Sequence, residues 1–148
     1  MNCGLGRGQK RVYDIKTAEQ MKKLGARLAV QLGGGDVVLL SGELGAGKTV
    51  FCKGLAAGLG VAEPVVSPTF TLMNEYFGRA VKLCHFDAYR LADADEAAAA
   101  GLTDFIGNPE CVCAVEWWEN VPELFDGLNV VHVSVAKTEN GGREVVIE

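Results

Sequence analysis

Apolar residues follow two different rhythms along this chain, and each change of rhythm marks an element. Met21, Leu24, Leu28 and Leu32 recur every three or four positions, the period of a helix with one buried stripe. Thr17 and Gln20, three apart, form a capping box ahead of that stripe. A helix is therefore predicted from Thr17 to about Leu32, with Gly33, Gly34 and Gly35 as its stop. Arg11 to Lys16 alternates weakly and reads as a strand, while Val37 to Leu40 is an unbroken apolar run, the pattern of a buried strand. A second helix is predicted from Lys48 to about Leu59, ended by Gly60. Gly54 and Gly58 share one of its faces, so another element, such as a central sheet, can approach closely there.

Pro64 and Pro68 exclude a helix in the next stretch, and alternation from about Thr69 predicts a strand. Ala80 to Asp87 predicts another. Asp93, with Glu96 three residues later, opens a short helix through Ala97–Ala100, and Gly101 closes it. Asn108-Pro109 is a turn signal. The apolar run from Cys111 to Val115 ends in Glu116. Val131, Val133 and Val135 then alternate with His132, Ser134 and Ala136, and Asn140-Gly141 leads into Arg143–Glu148, a strong hairpin signal. His132 falls on the face opposite the valines, where a solvated or partly covered side chain is expected.

The chemistry enters between Val37–Leu40 and the second helix. Gly42-Glu43-Leu44-Gly45-Ala46-Gly47-Lys48-Thr49 fits the phosphate-binding pattern G-x-x-x-x-G-K-[ST], and it has the strand and helix that the pattern requires on either side. Gly42, Gly45 and Gly47 let the backbone turn without a Cβ clash. The N–H groups of residues 43–49 can then converge on phosphate oxygens at a helix N-terminus. Lys48 would reach the β- and γ-phosphates, and the Thr49 hydroxyl would ligate Mg²⁺. The motif points to a nucleoside triphosphate with Mg²⁺. The expected fold is α/β, a P-loop NTPase-like three-layer sandwich with a mixed, mostly parallel central sheet and a C-terminal antiparallel hairpin.

A metal site of this kind also needs a carboxylate at the end of a buried strand. Asp87 and Glu116 both have that position. Ser67, Thr69 and Thr71 are candidates for a γ-phosphate sensor, and a turn followed by an ordinary Thr-rich strand explains them equally well.

Composition narrows the class. The 148 residues suffice for one domain, expected over 10–148 behind a flexible tail at 1–9. A net charge of −5 argues against a broad nucleic-acid surface on this chain. No apolar run approaches a membrane span, and the N-terminus has no apolar signal core. The odd set Cys3, Cys52, Cys84, Cys111 and Cys113 lacks metal-ligand spacing and reads as reduced thiols in a cytoplasmic protein. A small-molecule kinase would need an arginine-bearing lid, and the arginines are scattered. A GTP switch would need Asn-Lys-x-Asp, which is absent.

Five segments occur in a fixed order: the glycine-rich loop, Ser67-Pro-Thr-Phe-Thr-Leu72, His85-Phe-Asp-Ala-Tyr-Arg-Leu91, Gly101-Leu-Thr-Asp-Phe105 and Val115-Glu-Trp117. Together they resemble the ATPase subunit of the bacterial machinery that makes N6-threonylcarbamoyladenosine in tRNA, the TsaE or YjeE family. The resemblance covers about residues 10–148. It implies a cytoplasmic ATPase, weak alone, that acts with two companion proteins of the TsaB and TsaD type on adenosine 37 of tRNA. It also implies that the cofactors are ATP and Mg²⁺, that hydrolysis resets the complex between turnovers, and that tRNA is met through the complex. It further implies that Gly42, Gly45, Gly47 and Lys48 bind phosphates and that Thr49 binds Mg²⁺. Thr69 becomes a nucleotide sensor, Asp87 and Glu116 functional acids, and Trp117 a neighbour of the nucleotide. Glu116 is favoured for the metal and the attacking water, Asp87 for a switch or partner-coupled role. The Ala-rich helix Asp93–Ala100 departs from the family pattern.

Overall fold

The computed structural model describes residues 9–43, 45–68 and 71–148. Of the expected tail, residues 1–8 lie outside them, as do Leu44, Thr69 and Phe70. Seven strands form one sheet: β1 (Arg11–Ile15), β2 (Val37–Ser41), β3 (Met73–Phe77), β4 (Lys82–Asp87), β5 (Cys111–Glu116), β6 (Val130–Lys137) and β7 (Arg143–Ile147). Their spatial order is β1-β7-β6-β2-β5-β4-β3. The four central strands, β6, β2, β5 and β4, run parallel, and antiparallel strands close both edges. The C-terminal hairpin pairs Lys137 with Arg143 and turns through Gly141 at φ +84°.

Strand alternation divides the core in two. Val38, Leu40, Leu83, Val112 and Ala114 face one side with α1 (Ala18–Ala29) and α2 (Lys48–Gly58). Val37, Leu39, Cys84, Phe86, Cys111, Cys113 and Val115 face the other, under α3 (Ala94–Ala99) and short 3₁₀ turns at Leu102–Asp104 and Pro122–Phe125. Helices therefore cover both faces of a mixed sheet, giving three layers.

The predicted capping signals are present. Thr17 Oγ1 accepts from Gln20 N at 3.1 Å, and Gln20 Oε1 accepts from Lys16 N at 2.7 Å. Asp93 Oδ1 caps α3 by accepting from Glu96 N at 2.9 Å. The first helix ends at Ala29, short of Leu32. Gln31 and Leu32 donate to carbonyls only three residues back, which tightens the turn leading into Gly33–Gly35.

Two further expectations change. The element approaching Gly54 and Gly58 is α1, not the sheet. A Cβ at Gly54 would stand 2.1 Å from the Lys22 carbonyl oxygen, and one at Gly58 would meet Ala26 and Ala29. Gly25 on α1 answers them, with its face against Phe51 of α2. The third strand begins at Met73, not near Thr69, because Leu72 takes a left-handed conformation at φ +64°. Its carbonyl accepts from Asp87 N at 2.8 Å.

Candidate functional site

Parallel strands bring like ends together. β2 ends in Ser41, β4 in Asp87 and β5 in Glu116, and all three reach the carboxyl edge of the sheet, where α/β folds hold their ligands. The glycine-rich loop leaves β2 at that edge. Gly42, Gly45 and Gly47 have φ of +148°, +79° and +116°, conformations that disfavour any side chain. A Cβ at Gly42 would also strike the Val135 carbonyl at 2.5 Å. Gly47 caps α2 without a side-chain hydrogen bond, and the first turn of α2 carries no acidic residue. A helix N-terminus without a side-chain cap or an acidic residue in its first turn is an arrangement that suits an anion.

Two cations of the hairpin lean on this loop. Arg143 Nε donates to the Ala46 carbonyl at 2.8 Å, and its Nη1 donates to the carbonyls of Gly141 and Gly142. Lys137 Nζ lies 3.5 Å from where a Gly45 Cβ would stand. Ala46 is buried and Glu43 is exposed.

Lys48 is almost enclosed, at 8% exposure. Its Nζ stands 3.7 Å from Glu116 Oε1 and 5.6 Å from the centre of the Trp117 ring. Glu116 Oε2 accepts from His85 Nε2 at 2.8 Å. Cys52 of α2 places its Sγ 3.7 Å from the same nitrogen. Burial opposes charge on Glu116, but His85 and then Lys48 outweigh it and hold its carboxyl below the usual range. Burial likewise opposes charge on His85, and Cys52 and Glu116 together lift it to about 10.

Asp87 sits beside Glu116 in register. It is buried, and its Oδ1 accepts from Tyr89 N at 2.9 Å. Thr49 is half-buried in the first turn of α2. Trp117 is exposed and left-handed at φ +59°, with its ring edge-on to Tyr89 at 4.9 Å. Trp118 turns away to donate to Ser41 Oγ at 3.0 Å and packs edge-on against His132, which is exposed on the face opposite the valines. Among the sensor candidates, Ser67 and Thr71 are exposed, with Thr71 Oγ1 bonded to Asn74. Thr69 and the loop residue Leu44 lie outside the described residues.

The structure thus gathers Lys48, Thr49, Asp87, Glu116 and Trp117 around one loop. The sequence reading gave no role to His85, Cys52, Lys137 or Arg143. Only the alternation of His85 with Asp87 on one strand hinted that His85 shares the acid's face.

Comparison with known proteins decides the family. A family model described as "Threonylcarbamoyl adenosine biosynthesis protein TsaE" matches residues 15–145. The chain belongs to the TsaE family. Its relatives include the tRNA threonylcarbamoyladenosine biosynthesis protein TsaE of Treponema pallidum, 40% identical over 89% of this chain and 96% of the relative. The protein of the same name from Nostoc is 38% identical over 87% of this chain and 80% of the relative. The crystal structure of Bacillus subtilis YdiB superposes with a TM-score of 0.76 at 29% identity, covering 94% of this chain and 84% of YdiB. The fold of this TsaE-family chain is thus shared with a solved structure. No helix among its described residues is long and apolar enough to cross a membrane.

Proposed function

We propose that this TsaE-family protein binds Mg-ATP at the glycine-rich loop and hydrolyses it to ADP and phosphate. It does so as the cytoplasmic ATPase subunit of the system that places threonylcarbamoyl on adenosine 37 of tRNA. The observation that carries the reading is the buried Lys48–Glu116 pair, 3.7 Å apart at the mouth of a loop whose three glycines have positive φ. A cation for phosphate and a carboxylate for metal and water are the two charges that phosphoryl transfer requires.

The residues fit their groups. Backbone N–H groups of 43–49 hold the phosphates, and Lys48 exchanges Glu116 for phosphate oxygens. The Thr49 hydroxyl and the Glu116 carboxylate are the hard oxygen donors that Mg²⁺ prefers. When bound, Mg²⁺ neutralises charge developing on the phosphate oxygens. Glu116 orients the attacking water and receives its proton. Asp87, bonded to the backbone of the Tyr89 segment, relays the state of the site to a partner. Thr69 senses the γ-phosphate, and Trp117 covers the nucleotide.

The partners are companion proteins of the TsaB and TsaD type, and tRNA is met through them, since the chain carries a net charge of −5. Phosphate release from Mg-ATP, alone and with both companions plus unmodified tRNA, tests the proposal when modified adenosine is scored in parallel. Slow release alone, acceleration by the companions, and modification that stalls without this chain are expected. Lys48→Ala should abolish release, and Thr49→Ala should weaken Mg²⁺-dependent binding more than Mg²⁺-free binding. Unchanged release by Lys48→Ala, or sustained modification without the chain, contradicts the proposal. Phosphate found on an acceptor other than water would make the protein a kinase.

A further inference from the structure

The histidine of His85-Phe86-Asp87 is enclosed completely, at 0% exposure, in the middle of the sheet. β4 and β5 pair in parallel, with His85 opposite Ala114 and Asp87 opposite Glu116. His85 and Glu116 are therefore diagonal neighbours on the face that α2 covers, and the imidazole reaches up the sheet to the carboxylate. A nitrogen beside a carboxylate oxygen at 2.8 Å is a donor, so Nε2 carries a proton directed at Oε2. The other nitrogen, Nδ1, is buried with no hydrogen-bond partner. A side chain kept only to fill this space would be better apolar, because an orphaned buried nitrogen costs stability and a leucine would have none. What the fold gains in return is one directed bond to Glu116.

That bond divides the carboxylate. Oε2 is tied to His85 inside the sheet, and Oε1 is turned outward to Lys48. Cys52, on the helix that follows the glycine-rich loop, places its sulfur 3.7 Å from Nε2 and packs the ring between α2 and β5. We infer that His85 is a positioning residue that anchors Glu116 by one oxygen, so that the other is presented at a fixed place to water and metal beside the glycine-rich loop. The inference rests on the role proposed for Glu116. His85 touches no substrate and acts only through the acid.

The test compares His85→Leu, His85→Asn and His85→Gln, each in the wild-type chain and with Glu116→Gln. Glutamine carries an amide N–H near the Nε2 position. Asparagine places its amide near Nδ1, out of reach of Glu116, and it serves if leucine prevents folding as judged by circular dichroism. His85→Leu and His85→Asn should lower kcat about 10- to 100-fold, the usual cost of losing a group that orients a functional ligand. ATP affinity should stay within about twofold, because Lys48 and the loop are untouched. His85→Gln should recover most of the rate. With Glu116→Gln present, changing His85 should lower kcat no further.

Wild-type kcat in His85→Leu or His85→Asn overturns the inference. So does a folded His85→Gln as slow as they are, or an equal loss in the Glu116→Gln background. A Glu116→Gln variant that hydrolyses at the wild-type rate instead refutes the role of Glu116 itself.

Discussion

Replacing Gly54 with alanine sets two effects of opposite sign against each other. In the interior of a helix, alanine is favoured over glycine by about 1 kcal/mol, so propensity alone predicts a more stable protein. Packing predicts the reverse. The new methyl would lie 2.1 Å from the Lys22 carbonyl oxygen and 2.8 Å from the Lys22 carbonyl carbon. Close carbon–oxygen contacts settle near 3.3–3.6 Å, so α1 and α2 must part by about 1 Å or more. Overpacking a tight interface costs about 1–3 kcal/mol. The upper end applies here, because the opposing atoms are helix backbone and cannot rotate away. The net loss is about 2 kcal/mol, or a Tm lower by about 4–8 °C for a chain of this size. Urea unfolding followed by circular dichroism measures it. Gly33→Ala is the control, since nothing lies within 4 Å of a Cβ there, and it should be neutral or slightly stabilising. Because α2 carries Lys48 and Thr49, the displacement should also weaken nucleotide binding. A Gly54→Ala protein as stable as wild type would show that the close approach of the helices does not constrain them.

Arg143→Ala removes the bond to the Ala46 carbonyl and those that steady Gly141 and Gly142, so fluorescent-nucleotide affinity should fall about tenfold. Arg143→Lys should not restore it, because a point ammonium cannot span the same carbonyls, and full affinity in either variant would refute the clamp. Cys52, Cys84, Cys111 and Cys113 are buried and unpaired. Burial, then the neighbouring Cys84, pushes the Cys111 thiol up to about 11, and hydrogen bonding to Cys113 with burial raises Cys84 further. A Cys3→Ser protein should therefore resist iodoacetamide at pH 8 until unfolded and then gain four adducts by mass spectrometry; rapid native labelling would contradict the packing. Glu116 is held below the carboxylate range, so its stabilising contribution is complete above the unfolded value near 4.3 and is lost as pH falls through the lower folded value. The stability gap between wild type and Glu116→Gln should shrink below about pH 4, and a gap that widens there would reverse the sign.

The sequence alone determined the local features, because these depend on residues near in the chain. Thr17 and Asp93 cap helices through atoms three residues away, Asn140-Gly141 turns a hairpin, and three spaced glycines before Lys48 permit one kind of loop. Periodicity located Asp87 and Glu116 at strand ends, and the ordered motifs led to the TsaE family. Strand neighbours and helix contacts were illegible, because register and packing join residues far apart that carry no mark of one another. Only the tertiary structure decided that α1 meets Gly54 and that Arg143 reaches Ala46 across 97 positions. It likewise decided that β4 lies beside β5, bringing His85 to Glu116 across 31 positions. Leu72 shows the same limit at short range. Its apolar alternation reads as strand, yet its backbone is left-handed at φ +64°, so the strand starts at Met73 although the Leu72 carbonyl still accepts from Asp87 N across the β3–β4 pair.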